Sequence, residues 1–206
     1  MRALAEAHWL VAGLGNPGEA YAGTRHNVGF AVVERLAAEG RALFRPGPQR
    51  SRVAPVRFGN TAVLLVEPLA FMNLSGEPVA ACLTALGLPP ERLLVIHDDL
   101  DLPLGRLRIV GEAGPGGHRG VSSIQACIGT PAFPRVRIGI GRPGEAEDAA
   151  ERVLSAFTTA EAPLAAEAVE RAGTAVRTLV VEGLAPAMNR FNVRRAETGP
   201  DPLERR

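Results

Sequence analysis

The chain has 206 residues, of which 46% are hydrophobic, and this content suits one domain with a sizeable core. Its formal net charge of +1 gives no overall attraction to nucleic acid or membrane, so any RNA site must depend on locally grouped cations. The sequence contains no lysine, which excludes a lysine base, a Schiff-base lysine and the lysine of a phosphate-binding loop.

The first half of the chain alternates short apolar runs with turn signals. The first predicted elements are a buried strand at residues 9–13, a turn at 15–18 and a helix from about 28 that stops at Gly40. An exposed loop at 41–51 follows, and then two strands at 53–58 and 62–66 that are joined by a hairpin turn at 59–60.

The second half continues the alternation. It predicts a helix at residues 78–86 capped by Ser75, and then a strand at 93–96 that ends in His97-Asp98-Asp99. A strand at 106–110, a glycine-rich loop at 111–117 and a helix at 122–128 follow. The last predicted elements are a half-buried strand at 136–140, whose basic outer face includes Arg135 and Arg137, and a helix at 161–182. The pattern predicts an α/β fold, a twisted mixed sheet flanked by helices, in one domain over residues 1–195 with a polar tail at 196–206.

Cys82 and Cys127 are too few for a disulfide framework or a cysteine zinc site, and both lie in apolar segments. We expect two small core residues in a reducing compartment. Residues 1–9 show no convincing signal peptide, and no stretch approaches the ~18–20 apolar residues that span a bilayer. The expected location is the cytoplasm.

Residues 13–18 (GLGNPG) match the dinucleotide-binding pattern G-x-G-x-x-G. In that motif the helix opens within the glycines, whereas here Asn16-Pro17 forms a turn and the helical pattern starts only near Asn27. No second strand ends in an acid about twenty residues later. The pattern therefore excludes a dinucleotide site.

Residues 97–101 (HDDLD) place one imidazole and three carboxylates at the end of a strand, where α/β proteins commonly hold sites. Three interpretations stand: a solvated turn, a carboxylate partner for a base, or a Mg²⁺ or Mn²⁺ site of a metal-dependent phosphohydrolase. No G-x-S-x-G elbow surrounds Ser75 or Ser122, so the sequence offers no activated serine, and both cysteines are expected to be buried.

Two histidines and two asparagines are candidate site residues. His26 begins a helix, whose N-terminus disfavours the charged imidazole and favours a proton acceptor, although a lone histidine is commonly structural. His118 follows two glycines, an open setting that suits substrate contact. Asn16 and Asn73 fit turn chemistry and helix capping, but their amides could also polarise a carbonyl.

Several long motifs together resemble the bacterial-type peptidyl-tRNA hydrolases. They are GLGNPGEAYAGTRHNVGF (13–30), PLAFMNLSGEPV (68–79), HDDLDLPLGRLRI (97–109), GPGGHRGVSSI (114–124), FPRVRIGIGRP (133–143) and AMNRFN (187–192). Their order and spacing fit over residues 10–192. The resemblance implies a monomeric, metal-free enzyme that needs no cofactor and hydrolyses the ester joining a peptide to the terminal ribose of tRNA.

The resemblance also assigns roles to individual residues. It implies that His26 is the catalytic base, that Asp98 orients it, and that Asn16 and Asn73 act at the carbonyl side. It places Tyr21, Phe71 and Met72 along the substrate, with His118 nearby. One position departs from the family: Arg119 stands where an asparagine usually follows Gly-Gly-His, so a donor-only cation replaces an amide and could instead meet a tRNA phosphate.

Cations are concentrated between residues 102 and 144, where Glu112 is the single acid. The arginines of this stretch are Arg106, Arg108, Arg119, Arg135, Arg137 and Arg142. We expect Arg108 and Arg137 to contact the phosphate backbone of tRNA, against the simpler alternative of solvated strand faces. Two other function classes remain open from sequence: the metal-dependent phosphohydrolase, and a non-catalytic RNA-binding relative disabled by Arg119.

Overall fold

The computed structural model describes residues 7–144 and 148–193, and within them the strands form one mixed sheet. The strands are β1 (Trp9–Gly13), β2 (Arg45–Pro46), β3 (Ser51–Phe58), β4 (Thr61–Pro68), β5 (Leu93–Asp99), β6 (Leu107–Val110) and β7 (Arg135–Gly139). Their spatial order is β2-β3-β4-β1-β5-β7-β6. Strands β4, β1, β5 and β7 are mutually parallel, whereas β2, β3 and β6 pair antiparallel at the two sides.

Helices cover both faces of the sheet, which confirms the predicted fold class. They are α1 (Val28–Glu39), α2 (Gly76–Leu86), α3 (Arg119–Ile128), α4 (Ala149–Leu154), α5 (Ala162–Glu182) and α6 (Leu184–Phe191). One core holds Leu36 and Val176 from α1 and α5, and the other holds Leu83 and Ile124 from α2 and α3. Among the described helices, none is both long and apolar enough to cross a membrane.

Most predicted elements are present, and the differences have local causes. The loop predicted at residues 41–51 contains the two-residue edge strand β2, where Pro46 is tolerated because it lies at the sheet edge. Neither α4 nor α6 was predicted: α4 has only six residues, and α6 contains Pro186 in its first turn. The tail predicted at residues 196–206 lies outside the described part of the chain.

The parallel strands β1 and β5 set the position of the site. Because they are neighbours and run in the same direction, their carboxyl ends meet at one edge of the sheet. The turn after β1 and the polar end of β5 therefore meet at that edge. Strand β5 is buried along its whole length, including His97, Asp98 and Asp99.

Candidate active site

Two glycines bring the segment that carries His26 against the end of β5. A Cβ at Gly29 would lie 2.4 Å from the backbone nitrogen of Leu14 and 2.5 Å from the carbonyl oxygen of Ile96. A Cβ at Gly13 would lie 2.3 Å from the carbonyl oxygen of Gly29. Only residues without a side chain allow the start of α1 to pack this closely on β1 and β5.

His26 and Asp98 are joined by a hydrogen bond across this contact. His26 lies in a 3-10 turn, Arg25–Asn27, directly before α1, and its Nδ1 is 2.7 Å from Oδ1 of Asp98. A carboxylate can only accept, so the ring proton is on Nδ1 and Nε2 carries a lone pair. The ring borders the cleft, and within the described residues Nε2 has no hydrogen-bond partner. This arrangement leaves a proton acceptor at the cleft.

His118 supplies a second N–H to the same carboxylate oxygen, at 3.0 Å from its Nε2. Its Nδ1 accepts the backbone N–H of Val121 at 3.3 Å, so His118 caps α3 and carries its proton on Nε2. The sequence indicated an open histidine suited to substrate contact, whereas this side chain is 7% exposed and bonded to Asp98. The two glycines before His118 do not indicate that its side chain binds Asp98, which is 20 residues away in the chain.

Asp98 is held in its charged form. Burial alone would raise the pKa of this carboxyl, but the attraction and hydrogen bond of His118, followed by those of His26, hold the pKa well below its usual range. A permanent carboxylate at this point keeps both rings oriented. It also favours a positive charge on His26 when that ring takes up a proton.

His97 belongs to the core rather than to the reacting groups. Its Nδ1 donates to the backbone carbonyl of Asp98 at 2.7 Å, and its ring packs on that of His118 with centroids 4.5 Å apart. Burial, followed by the proximity of His118, lowers the pKa of His97 well below its ordinary value. His97 therefore stays neutral and supports the His118 ring.

The described side chains of residues 97–101 do not converge as a metal site, which was one of the three interpretations of this segment. Asp99 forms an ion pair with Arg137, and Asp101 accepts from Arg142 at 2.9 Å. In the described part of the chain, the group within reach of a shared ion is instead His26, Asp98 and His118, with ligand atoms within 4.8 Å of one another. Both ring nitrogens facing Asp98 carry protons directed at the carboxylate, so hydrogen bonding accounts for this spacing.

Asn16 presents a donor to the cleft because its amide oxygen is already used. Its Oδ1 accepts the backbone N–H of Met72 at 2.8 Å. The backbone of Asn16 is in turn held by the side chain of Asn27, which accepts its N–H and donates to its carbonyl oxygen, both at 2.9 Å. The fixed oxygen directs the NH₂ group of Asn16 away from Met72, and Asn16 borders the cleft.

Asn73 is exposed at the edge of the cleft and lies in a 3-10 turn, Met72–Leu74. Helix capping does not explain it, because α2 begins at Gly76, whose N–H donates to Oγ of Ser123 at 2.9 Å. Ser75 occupies the position before α2, as predicted, but its hydroxyl donates to the Met72 carbonyl oxygen and makes no cap bond. The amide of Asn73 is therefore available to a substrate.

An apolar wall continues from Asn73. Phe71 is 56% exposed, which is unusual for a ring of this size, while Met72 is buried beneath it. Tyr21, from the turn after β1, meets Phe71 edge-to-face with ring centroids 6.3 Å apart. Of the three residues that the resemblance assigned to the substrate, Phe71 and Met72 line the cleft, and Tyr21 contacts the outer ring of Phe71.

The arginines divide into cleft-facing and structural residues. Arg137 lines the cleft beside Asp99, Arg108 is its exposed neighbour in the β6–β7 pairing, and exposed Arg119 begins α3 at the cleft rim. The predicted basic outer face is wrong at Arg135, which is buried and donates to the carbonyl oxygens of Ala113 and Gly114 at 2.5 and 2.9 Å. Arg135 therefore holds the glycine-rich loop.

Helix α4 closes the other side of the cleft, which has a volume of about 690 Å³, and a buried arginine holds the segment that follows α4. Arg25, 1% exposed, donates to the Ser155 hydroxyl at 2.6 Å, the Ala156 carbonyl at 2.5 Å and the Glu161 carboxylate at 2.5 Å. These acceptors follow α4, which lines the cleft through Val153. Sequence reasoning missed both features, because an arginine usually lies at the surface and these partners are at least 130 residues away.

The cleft holds no serine or cysteine among the described residues that line it. Ser75 is buried against Met72, and Ser122 donates to the carbonyl of His118. Cys82 is buried, and burial raises the pKa of its thiol. The expectation that both cysteines are core residues is wrong for Cys127, which is exposed on α3.

Comparisons with known proteins agree over almost the whole chain. A family model described as Peptidyl-tRNA hydrolase matches residues 10–199. The peptidyl-tRNA hydrolase of Thermus thermophilus is 46% identical over 89% of this chain and 96% of its own length, and that of Frankia alni is 44% identical over 89% and 93%. The crystal structure of peptidyl-tRNA hydrolase from Acinetobacter baumannii superposes with a TM-score of 0.84 at 36% identity, covering 93% of this chain and 97% of that one.

Proposed function

The chain belongs to the peptidyl-tRNA hydrolase family and hydrolyses peptidyl-tRNA, and from this premise we propose that His26 is the base that activates the attacking water. The observation that carries the proposal is the 2.7 Å hydrogen bond from Nδ1 of His26 to Asp98, which leaves the Nε2 lone pair at the cleft. Water donates a proton to Nε2 as its oxygen attacks the ester carbonyl carbon. A positioned base of this kind contributes on the order of 10²–10⁴ in rate.

Asp98 and His118 keep that base in the productive form. The carboxylate accepts from His26, fixes the tautomer and stabilises the imidazolium formed when water is deprotonated. The imidazolium then returns the proton to the leaving ribose oxygen, which restores the neutral ring. His118, which caps α3, donates to the same oxygen of Asp98, so the carboxylate cannot rotate freely away from His26.

The two asparagines act on the acyl side of the ester. Asn73 has an uncommitted amide that can donate to the carbonyl oxygen as negative charge develops, or orient the water. Asn16 has its oxygen fixed by Met72, so its NH₂ donates to the amide carbonyl of the preceding peptide unit. That carbonyl is present in a peptidyl or N-acetyl substrate and absent from free aminoacyl-tRNA, which is therefore spared.

The remaining residues, which line the cleft or contact its lining, bind the two ends of the substrate. Tyr21, Phe71 and Met72 form the apolar wall for the esterified residue. Arg108, Arg137 and Arg119 face the tRNA, where guanidinium groups match phosphate oxygens. Arg119 adds a cation at a position where the family usually has a neutral amide, so it contacts a phosphate near the 3′ end of the tRNA.

We further propose that the enzyme works as a cytoplasmic monomer without a metal or other cofactor. The base, its carboxylate and the amide donors suffice for ester hydrolysis. The proposal treats residues 1–195 as one catalytic domain and 196–206 as a tail without a catalytic role. Its substrate is a product of translation, which supports the location.

The experiment compares N-acetyl-aminoacyl-tRNA with unblocked aminoacyl-tRNA, each with and without a chelator. Selective cleavage of the blocked substrate, unaffected by the chelator, is expected. Loss of cleavage with the chelator would instead support a metal-dependent hydrolase. Binding without cleavage would support the non-catalytic RNA-binding relative.

A further inference from the structure

The turn that carries His26 is held by contacts on two sides. The ring of His26 is bonded to the carboxylate at the end of β5. The residues before it pair instead with the segment that follows α4. Thr24 forms an antiparallel bridge with Ala156, and the backbone N–H of Arg25 donates to the carbonyl oxygen of Ser155 at 3.0 Å. The position of the ring therefore depends on the segment after α4 as well as on its carboxylate partner.

The guanidinium of Arg25 reinforces this backbone contact. Its donors reach the Ser155 hydroxyl, the Ala156 carbonyl and the Glu161 carboxylate, and its central carbon lies 5.0 Å from the centre of the Phe157 ring. A planar group whose donors point in fixed directions fits one arrangement of acceptors. Arg25 therefore sets both the distance and the orientation between the His26 turn and residues 155–161.

The carboxylate that accepts from Arg25 is itself fixed. Oε2 of Glu161 also accepts the backbone N–H of Thr158 at 2.8 Å, and Oε1 accepts from Arg152 of α4 at 3.0 Å. Arg152 donates further to the carbonyl oxygen of Ile140, just after β7, at 3.2 Å. Through Glu161, Arg25 thus attaches the His26 turn to α4 and to the end of a central strand.

Packing alone does not require an arginine at position 25. Moving a cation out of water costs several kcal/mol, and an apolar side chain of similar volume is often as stable or more stable at such a position. Arg25 is 1% exposed, and its Nε has no hydrogen-bond partner among the described residues. What the guanidinium supplies in return is a defined geometry directly beside the candidate base.

We propose that Arg25 is a positioning residue, which acts through His26 by fixing the backbone that carries the ring. The proposal rests on the proposed function, because it takes His26 as the base. Arg25 is not among the residues that line the cleft, so direct contact with the substrate is not its role. A displacement of about 1 Å in a reacting group can cost on the order of 10²-fold in rate, and such a loss falls on kcat rather than on KM.

The test is Arg25→Met, which keeps an unbranched side chain and removes every donor. With N-acetyl-aminoacyl-tRNA we expect kcat to fall about 10- to 100-fold and KM to change less than about twofold. The downfield proton resonance of the His26 Nδ1–H should weaken in the NMR spectrum. The control is Leu179→Ala, which creates a cavity in the core beneath α5, away from the cleft. It should lower the thermal unfolding midpoint and leave kcat and the resonance unchanged.

The conservative variant is Arg25→Lys, which keeps the charge but replaces the planar fork with a point donor. It should recover only part of the kcat that Arg25→Met loses. If Arg25→Met does not fold, Arg25→Lys takes its place in each comparison. A wild-type kcat in either variant would overturn the proposal.

A double variant tests whether Arg25 acts through His26. In a His26→Ala background, Arg25→Met should cause no further loss, because the ring that Arg25 positions is already absent. Equal slowing of the wild type and of His26→Ala would show that Arg25 acts on something else and would contradict the proposal. Failure of the proposed function would show in His26→Ala alone, as retained activity, which keeps the two outcomes separate.

Discussion

Nδ1 of His26 lies 2.7 Å from Oδ1 of Asp98, although the two residues are 72 positions apart in the chain. The contact joins the turn before α1 to the carboxyl end of β5, and it depends on Gly13 and Gly29, where any side chain would collide with backbone. The same carboxylate oxygen accepts from His118, the residue that caps α3. Three separate segments thus fix one tautomer of one histidine.

The variant Asp98→Asn tests whether Asp98 sets the tautomer of the His26 ring. An asparagine can turn its NH₂ toward Nδ1 of His26 and shift the ring proton to Nε2, which removes the lone pair from the cleft. We expect kcat for N-acetyl-aminoacyl-tRNA to fall on the order of 10²–10⁴ with little change in KM. Single-turnover rates together with circular dichroism would measure this. A variant with more than half of the wild-type kcat would show that the carboxylate does not orient the base.

Asn16→Asp tests recognition of the peptide amide. Aspartate preserves an acceptor for the N–H of Met72 but has no NH₂ to offer the substrate. We expect kcat/KM for the blocked substrate to fall about 10- to 100-fold, as for loss of one buried hydrogen bond of ~1.5–3 kcal/mol. Cleavage of unblocked aminoacyl-tRNA should not fall in proportion. If the ratio of the two rates stays at the wild-type value, Asn16 does not discriminate between them.

Arg108→Ala tests the phosphate contact. Each phosphate neutralised by a cation releases counterions, so log KM should rise with log salt concentration, and losing one contact should reduce that slope by roughly 0.7–0.9. The matched control is Arg57→Ala, an exposed arginine of β3 near the hairpin turn, outside the cleft. It should leave the slope unchanged. An identical slope in Arg108→Ala and the wild type would remove Arg108 from the RNA surface.

Glu161→Gln tests the ion pair that holds the segment after α4. Burial alone would raise the pKa of Glu161, but the backbone N–H of Thr158 and then Arg25 lower it to about 2. Because the folded pKa is below the ordinary value near 4.5, the stabilisation is complete above about pH 4.5 and is lost as the pH falls toward 2.

We expect Glu161→Gln to lower the free energy of unfolding by about 1–2 kcal/mol at pH 7, because solvent screens the partly exposed carboxylate, and the difference should shrink between pH 4.5 and 2. Urea denaturation across this range would measure it. Glu91→Gln, which neutralises an exposed carboxylate in the turn before β5, should show no such trend. A constant deficit for Glu161→Gln at every pH would mean that its charge does not stabilise the fold.

The sequence predicted those parts of the fold and of the site that a local residue pattern or a motif indicates. The strand at Trp9–Gly13, the hairpin at Gly59-Asn60 and the polar end of β5 follow from apolar periodicity and turn residues. The pairing of His26 with Asp98 came from resemblance, since spacing in the chain does not report distance in space.

Other features have no local signal. Burial of Arg25 and Arg135 depends on acceptors supplied by distant backbone, and the sharing of Asp98 by two histidines depends on the approach of α3. The position of α3 depends on Gly76 of α2, where a Cβ would lie 2.2 Å from the backbone carbonyl oxygen of Ser123. The sequence alone does not show which neighbouring residue requires a glycine at a given position.

The most direct test of the central claim is the kcat of His26→Ala on N-acetyl-aminoacyl-tRNA, measured beside the thermal unfolding midpoint. If His26 takes the proton from water, kcat falls on the order of 10²–10⁴ while the protein remains folded, because the ring borders the cleft rather than the core. A folded His26→Ala protein that keeps half of the wild-type kcat would contradict the role of His26 as the base.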